Sequence, residues 1–217
     1  MIAMTSGLTD LRVVDFLDEL ASDKPAPGGG SVAALAGALA AALSSMVCNL
    51  TIGKNDYESV QADMIRIREY SEDLRRNLTE LVDKDTESFN AVISALKMPK
   101  DTEEQRERRK EALQRSYKAA ALIPLDTARS CLRVLDAARI TAEKGNRSSI
   151  TDAAVSAIMA KAGLESAVLN VKVNLSYIKD AALVDNIQKE IDDLQGRAAR
   201  ETTEILRLVE QVLKSKK

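Results

Sequence analysis

The sequence predicts an all-α protein, a bundle of about six long helices in a single domain over residues 1–217. Three observations carry that prediction. Nine glycines and four prolines cluster at a few points and leave long uninterrupted stretches between them. One such stretch, 56–97, places Met64, Ile67, Ser71, Leu74, Leu78, Leu81, Asp85, Ser88, Val92 and Ala95 at alternating steps of three and four, which is one face of a helix. The quartets Thr102-Glu103-Glu104-Gln105 and Ser149-Ile150-Thr151-Asp152 read as capping boxes that open helices.

Taken in order, Thr9 caps a first helix at about 10–21. Pro25-Ala26-Pro27-Gly28-Gly29-Gly30 reads as a loop, because three glycines cost too much backbone entropy inside a helix. Gly30 or Ser31 then caps an Ala-rich second helix, about 31–51. The third helix, about 56–97, stops before Met98-Pro99. The fourth opens at Thr102, is kinked or split by Pro124, and resumes to about Glu143 before Gly145. A fifth covers about 150–179. The last runs about 183–214 and frays over Lys214-Ser215-Lys216-Lys217. Helices of this length pack as long bundles, and such bundles often dimerise.

Composition narrows the function classes. There are 31 basic and 33 acidic residues, for a net charge of −2, so no strong field points to nucleic acid or to an acidic membrane. Aromatics are only 3 %, too few for a base-stacking platform. From Pro25 to Gly53 the chain has no charge; its Ala, Ser, Gly and Asn49 fit a tightly packed buried helix better than a membrane span. The absence of histidine excludes a histidine-ligated metal, and Cys48 and Cys131 stand too far apart for a zinc site. Both cysteines read as small core residues in a reducing compartment. With no signal peptide in Met1–Asp23, a cytoplasmic protein is expected.

Several polar residues stand where apolar ones belong. The glycine turn leaves bare N–H groups at a helix N-terminus, a geometry that suits an anion. Asp85 lies in the apolar seam of the third helix. Desolvation there raises its pKa and suits it to proton transfer, unless the seam opens to solvent or an arginine pairs with it. On the fifth helix Lys161, Glu165, Lys172 and Lys179 share a narrow arc, opposite Asp152, Met159, Gly163, Asn170, Asn174 and Tyr177. Two asparagines on the driest face either join an interhelical network or read a heterocycle edge. Asp152 is a cap or a site residue. Lys54 complements the dipole at the end of the second helix or binds a carboxylate. The run Arg106–Lys110 reads as a solvated helix face.

Pro25-Ala26-Pro27-Gly28-Gly29-Gly30-Ser31-Val32-Ala33-Ala34 resembles the opening signature of the formiminotetrahydrofolate cyclodeaminase / methenyltetrahydrofolate cyclohydrolase family. Further pieces match in order: Leu50-Thr51-Ile52-Gly53-Lys54, Leu81-Val82-Asp83-Lys84-Asp85 with Phe89, Pro99-Lys100, Pro124-Leu125, Gly145-Asn146, Asp152, Leu169-Asn170-Val171 and Asn174-Leu175. The resemblance implies an all-helical homodimer acting on a tetrahydrofolate derivative, with no metal or redox cofactor. It implies Asp85 as proton donor and acceptor. It offers Gly28, Gly29, Gly30, Ser31, Lys54, Asn146, Asp152, Asn170 and Asn174 as the substrate pocket, with the asparagines on the pterin and the glycine turn and Lys54 on the glutamate tail.

Two positions depart from the pattern: Ala154 and Ser166 replace glycines, and either would narrow the pocket. The expected activity is 5-formiminotetrahydrofolate cyclodeaminase, giving 5,10-methenyltetrahydrofolate and ammonia, with a separate formiminotransferase supplying the substrate. The alternative is the cyclohydrolase reaction, giving 10-formyltetrahydrofolate. A non-catalytic helical scaffold is the rival from another class.

Overall fold

The computed structural model describes residues 7–215; the readings made on residues 1–6 and on the fraying of Lys216 and Lys217 lie outside them. Six α-helices follow one another through short turns: α1 (Val13–Leu20), α2 (Gly29–Asn49), α3 (Gln61–Leu96), α4 (Glu103–Lys144), α5 (Ile150–Leu175) and α6 (Ala181–Lys214). Short 3-10 turns occupy Leu8–Asp10, Asn55–Val60 and Arg147–Ser149. Among the described residues there is no strand. The fold is the expected all-α bundle.

The uncharged α2 lies at its centre. Ala33, Ala34, Ala40, Ala41, Val47 and Cys48 are fully buried, and the helix packs against α3, α4 and α5. Small side chains let the backbones approach closely. A Cβ on Gly163 of α5 would lie 2.9 Å from the Ala33 carbonyl oxygen and 3.0 Å from Cys131 Sγ, and one on Gly37 would lie 2.6 Å from that same sulfur. By length and hydropathy α2 and the segment 147–175 pass the test for membrane spans. The bundle accounts for most of α2, and its apolarity serves helix packing. The α3 seam is buried at Met64, Ile67, Ser71, Leu74, Leu78, Leu81, Val92 and Ala95, and opens part-way at Asp85 and Ser88. α6 covers α4 and α5, tied to α4 by Arg129 with Glu190 and by Arg139 with Glu201 and Glu204.

Local signals held in some places and were overridden in others. The Thr102 box forms: Thr102 Oγ1 accepts from the Gln105 N–H and Gln105 Oε1 accepts from the Thr102 N–H, both at 3.2 Å. Thr9 does not cap α1. Its hydroxyl and the Leu8 N–H donate instead to Asp83, at 3.0 and 2.6 Å. The Ser149 box does not form either, because Asn146 Oδ1 accepts from the Ser148 N–H and starts a 3-10 turn there. α5 ends at Leu175 rather than near 179, and α3 starts at Gln61 after a 3-10 segment.

Pro124 does not split α4, which continues through it. Proline supplies no N–H to the carbonyl four residues earlier, here that of Ala120. Asn174 of α5 donates to that oxygen at 3.0 Å, so the missing bond is replaced from a neighbouring helix.

Gly163→Ala should lower the urea midpoint by the equivalent of about 1–3 kcal/mol at unchanged m-value. The clash with Ala33 and Cys131 then outweighs the roughly 1 kcal/mol that alanine gains in helix propensity. Equal or higher stability would show that α2 and α5 can separate freely.

Candidate active site

Four elements converge at one end of the bundle: the start of α2, the last third of α3, the middle of α4 and the end of α5. They enclose a cavity of about 400 Å3, within the range of small-ligand sites. Phe89, Val92, Ile93 and Leu96 of α3 form an apolar wall. Tyr117 of α4 stacks on Tyr177 just past α5, with ring centroids 4.9 Å apart and planes 16° from parallel. Gln114 fixes that stack by donating to the Tyr177 carbonyl and accepting from the Lys179 N–H, both at 2.9 Å. The polar groups on the lining are Asp85, Ser88, Asn170 and Asn174, with Gly28, Gly29 and Gly30.

Asp85 sits on the first turn of α2. That helix begins at Gly29 with Gly28 as its N-cap and no side-chain cap, so Gly29 and Gly30 are helical rather than loop. Glycine is required at position 30 for a steric reason: a Cβ there would fall 2.1 Å from Asp85 Oδ1. Only glycine lets the carboxylate reach the bare N-terminus. Ser31, fully buried, stands 3.0 Å from both Asp85 Oδ2 and the Val82 carbonyl oxygen. Burial pushes the Asp85 carboxyl above the usual carboxylate range, against the pull of the Ser31 hydroxyl and backbone N–H, which favour the charged form. The anion that the α2 N-terminus was expected to capture is thus this protein's own aspartate. No arginine pairs with Asp85 among the described residues. Asp83, two positions earlier, is structural and holds the Leu8–Asp10 turn.

The asparagines do face the cavity, but from the edge of the buried face of α5. The fully buried positions are Ala153, Ala157, Ala160, Leu164, Ala167, Val168 and Val171, while Asn170 and Asn174 are half-buried and Tyr177 is exposed. Alanines interspersed with Leu164, Val168 and Val171 mark the inward side, so the arc opposite the charges was rotated away from the core. The outward side is apolar as well: Val155, Ile158, Leu169 and Val173 are exposed. Asn170 Nδ2 donates to the Ser166 carbonyl, and Asn174 Nδ2 donates to those of Asn170 and Ala120.

Three predicted site residues lie elsewhere. α2 is 21 residues long, about 30 Å, and Lys54 and Asn146 stand at its far end. Asn146 is buried and structural: Nδ2 donates to the Leu50 carbonyl, its N–H to Thr51 Oγ1, and Oδ1 caps Ser148. Asp152, in the first turn of α5, belongs to that same end. Neither Ala154 nor Ser166 lines the cavity, so neither narrows it. Phe89, Tyr117 and Tyr177 were not singled out as pocket walls. Their signal was scarcity, since the chain has only two phenylalanines and four tyrosines. Among the described residues no three His, Cys, Asp or Glu side chains gather as metal ligands.

Comparison with known proteins places this architecture. A sequence model of formiminotransferase-cyclodeaminase matches residues 12–193. The chain belongs to the formiminotransferase-cyclodeaminase family. Methenyltetrahydrofolate cyclohydrolase of Methylorubrum extorquens is 48 % identical over 183 residues, 84 % of this chain and 88 % of that protein. Formimidoyltransferase-cyclodeaminase of Rattus norvegicus is 34 % identical over 92 % of this chain, which spans only 37 % of the rat protein. The crystal structure of formiminotetrahydrofolate cyclodeaminase from Thermotoga maritima superposes with a TM-score of 0.84 at 31 % identity, covering 94 % of this chain and 98 % of that one.

Gly30→Ala should keep the helical circular dichroism of the parent while displacing Asp85 from the α2 N-terminus. A displacement of about 1 Å costs roughly 100-fold in turnover. Undiminished turnover would show that the contact between Gly30 and Asp85 does not set the site.

Proposed function

We propose that this protein is an enzyme of tetrahydrofolate one-carbon metabolism acting at the 5,10-methenyl bridge, as a methenyltetrahydrofolate cyclohydrolase. The observation that carries the reading is Asp85: one partly desolvated carboxylate, aimed from a helix N-terminus into an aromatic cavity, in a chain of this family. The choice of direction is supported by the 48 % identity with the Methylorubrum cyclohydrolase over most of its length. The cyclodeaminase reaction is the second reading, supported by the Thermotoga relative; it needs a formiminotransferase to supply substrate. A bare scaffold leaves a buried carboxylate beside an open cavity unexplained.

In the cyclohydrolase reaction the bridge is a cation, with N5, the bridge carbon and N10 sharing the charge. Asp85 takes a proton from water as the water oxygen bonds to that carbon, and the N5–carbon π electrons return to N5. The same carboxyl then gives a proton to N5 while the carbon–N5 bond breaks. The hydroxyl proton leaves to solvent, and the formyl group remains on N10. In the cyclodeaminase reaction the formimino group enters protonated. Asp85 takes the N10 proton during ring closure and delivers it to the resulting amino group, which leaves as ammonia as the methenyl cation forms. One carboxylate with a raised pKa serves either route. In the cyclodeaminase reaction, holding the substrate folded for attack by N10 supplies much of the rate through orientation.

The substrate's carboxylate tail needs a cationic partner, and Lys54 is at the wrong end. A trough of about 360 Å3 shares Tyr117 with the cavity and is lined by Lys100, Arg106, Arg109, Lys110 and Lys179. None of its described lining residues is acidic. Glu103 and Glu107 pair with Arg106 and Lys110, while Arg109 donates to the Leu96 carbonyl and pairs with no carboxylate among the described residues. This arrangement supports placing the glutamate carboxylates there. The solvated face of residues 106–110 is then the rim of the substrate site.

We also propose a homodimer formed by a second copy over α2 and α5. Val32, Leu39 and Met46 of the charge-free α2 and Leu50 just past its end are exposed, as are Val155, Ile158, Leu169 and Val173 of α5. The α2 half of this face carries no charge and the α5 half borders Glu165 and Lys172, so an apolar stripe of this length fits another copy of itself. Sedimentation equilibrium should give twice the 23.6 kDa chain mass, and L39E/L169E should give the single mass. A monomeric parent would remove the dimer.

The deciding assay follows the methenyltetrahydrofolate chromophore. Accelerated loss of supplied chromophore marks the cyclohydrolase; its appearance from 5-formiminotetrahydrofolate, with ammonia, marks the cyclodeaminase. Silence in both overturns the enzyme reading. Asp85→Asn should lose at least about 100-fold in turnover, yet melt at pH 7 no lower than the parent, because the ionised carboxylate is the form that burial disfavours. Since the base must be ionised, activity falls as pH drops through its raised pKa. Ser31→Ala removes a group that favours the charged form, so the acid limb should move to higher pH. An unmoved limb would detach Asp85 from the profile.

A further inference from the structure

The side-chain amide of Asn174 is locked by its surroundings, and the lock originates in Pro124. Proline leaves the Ala120 carbonyl of α4 without its helical N–H partner. Asn174 Nδ2 fills that vacancy at 3.0 Å and donates its second hydrogen to the Asn170 carbonyl at 2.9 Å. The amide orientation follows from chemistry, since a flipped group would press Oδ1 against two carbonyl oxygens. Both donors are therefore committed, and Oδ1 is the one polar atom that Asn174 can offer to the cavity it lines. Asn170 is held in the same sense, its Nδ2 donating to the Ser166 carbonyl at 2.9 Å. With Asp85 ionised, this wall presents acceptors.

We propose that Asn174 is a specificity-determining residue that reads an N–H donor on the edge of the substrate's bicyclic ring, and that Pro124 is the positioning residue that makes it an obligate acceptor. The proposal rests on the folate reading, whose reduced pterin ring carries a 2-amino group and an N3–H along one edge. A site built around a fixed acceptor rejects a ligand lacking the donor much more strongly than a hydrophobic pocket rejects a missing methylene. An asparagine free to turn would accept or donate and would discriminate poorly. Pro124 is fully enclosed in the bundle and does not line the cavity, so it acts through Asn174.

The test compares binding of folinic acid with that of two analogues, one lacking the 2-amino group and one methylated at N3. It uses the full-length parent, Pro124→Ala and Asn174→Ala. The parent should reject at least one analogue by about tenfold or more. Asn174→Ala should bring that ratio close to one. Pro124→Ala returns an N–H to the Ala120 carbonyl and frees the amide, so it should fall between them while keeping the parent's melting temperature or exceeding it. It should raise KM more than it lowers kcat, as loss of uniform binding does. A merely structural role would move the melting temperature and leave the ratio alone. Equal binding of all three ligands by the parent, or an unchanged ratio in Asn174→Ala, overturns the proposal while the folate reading stands. Failure of the parent to bind folinic acid at all overturns the folate reading and this inference with it.

Discussion

The contact between Asp85 and the first turn of α2 is the constraint on which the rest of the site depends. A carboxylate can stand against this helix N-terminus only if no side chain projects toward it from the turn, and Gly30 meets that condition. The same contact fixes how α3 crosses α2, because Ser31 is hydrogen-bonded to both Val82 and Asp85 of α3. Ionisation of Asp85 is then set by two opposing influences, burial and the Ser31 donors, and their balance leaves it a weaker acid than an exposed aspartate. Structure and reactivity meet in one short stretch of backbone.

Around that contact the cavity is assembled from parts that do different work. Asp83 and Asp85 differ by two positions, less than one helical turn, and therefore point to different sides of α3. One anchors the N-terminal turn; the other faces the cavity. Tyr117 and Tyr177 form a wall whose position is set by Gln114 rather than by either ring. Burial makes Asp85 chemically useful, while the surrounding polar groups are nearly all engaged with backbone, which limits what the site can recognise.

Much of this was legible in the chain. Long charge-patterned stretches between rare glycines and prolines gave the helices, and the α3 seam pointed to Asp85 because a carboxylate broke an otherwise apolar face. The glycine turn was located, although Gly29 and Gly30 proved helical, and the steric need for glycine at position 30 comes from a residue 55 positions away in sequence. Tertiary facts of that kind escaped: the Thr9 hydroxyl found Asp83, and Asn146 capped a turn that displaced the Ser149 box. Lys54, Asn146 and Asp152 were grouped with the site because they shared its ordered motifs, and the length of α2 separates them from it. On α5 the inward face mixes alanines with Leu164, Val168 and Val171, and the outward face is apolar too, so an arc chosen as the one opposite the charges falls at the edge of the core.

The crossing of Gly37, Cys131 and Gly163 has a further consequence. The Cys131 sulfur lies where three helices come closest, fully enclosed, and burial pushes its thiol up to about 12. A reagent cannot meet it while α2, α4 and α5 remain packed, since the sulfur is closed in at the glycine positions Gly37 and Gly163, with Leu78 alongside. Its chemical silence is therefore a clock on the whole bundle: the rate at which this one thiol becomes reactive reports how often the central helices part, and is blind to fraying at the ends.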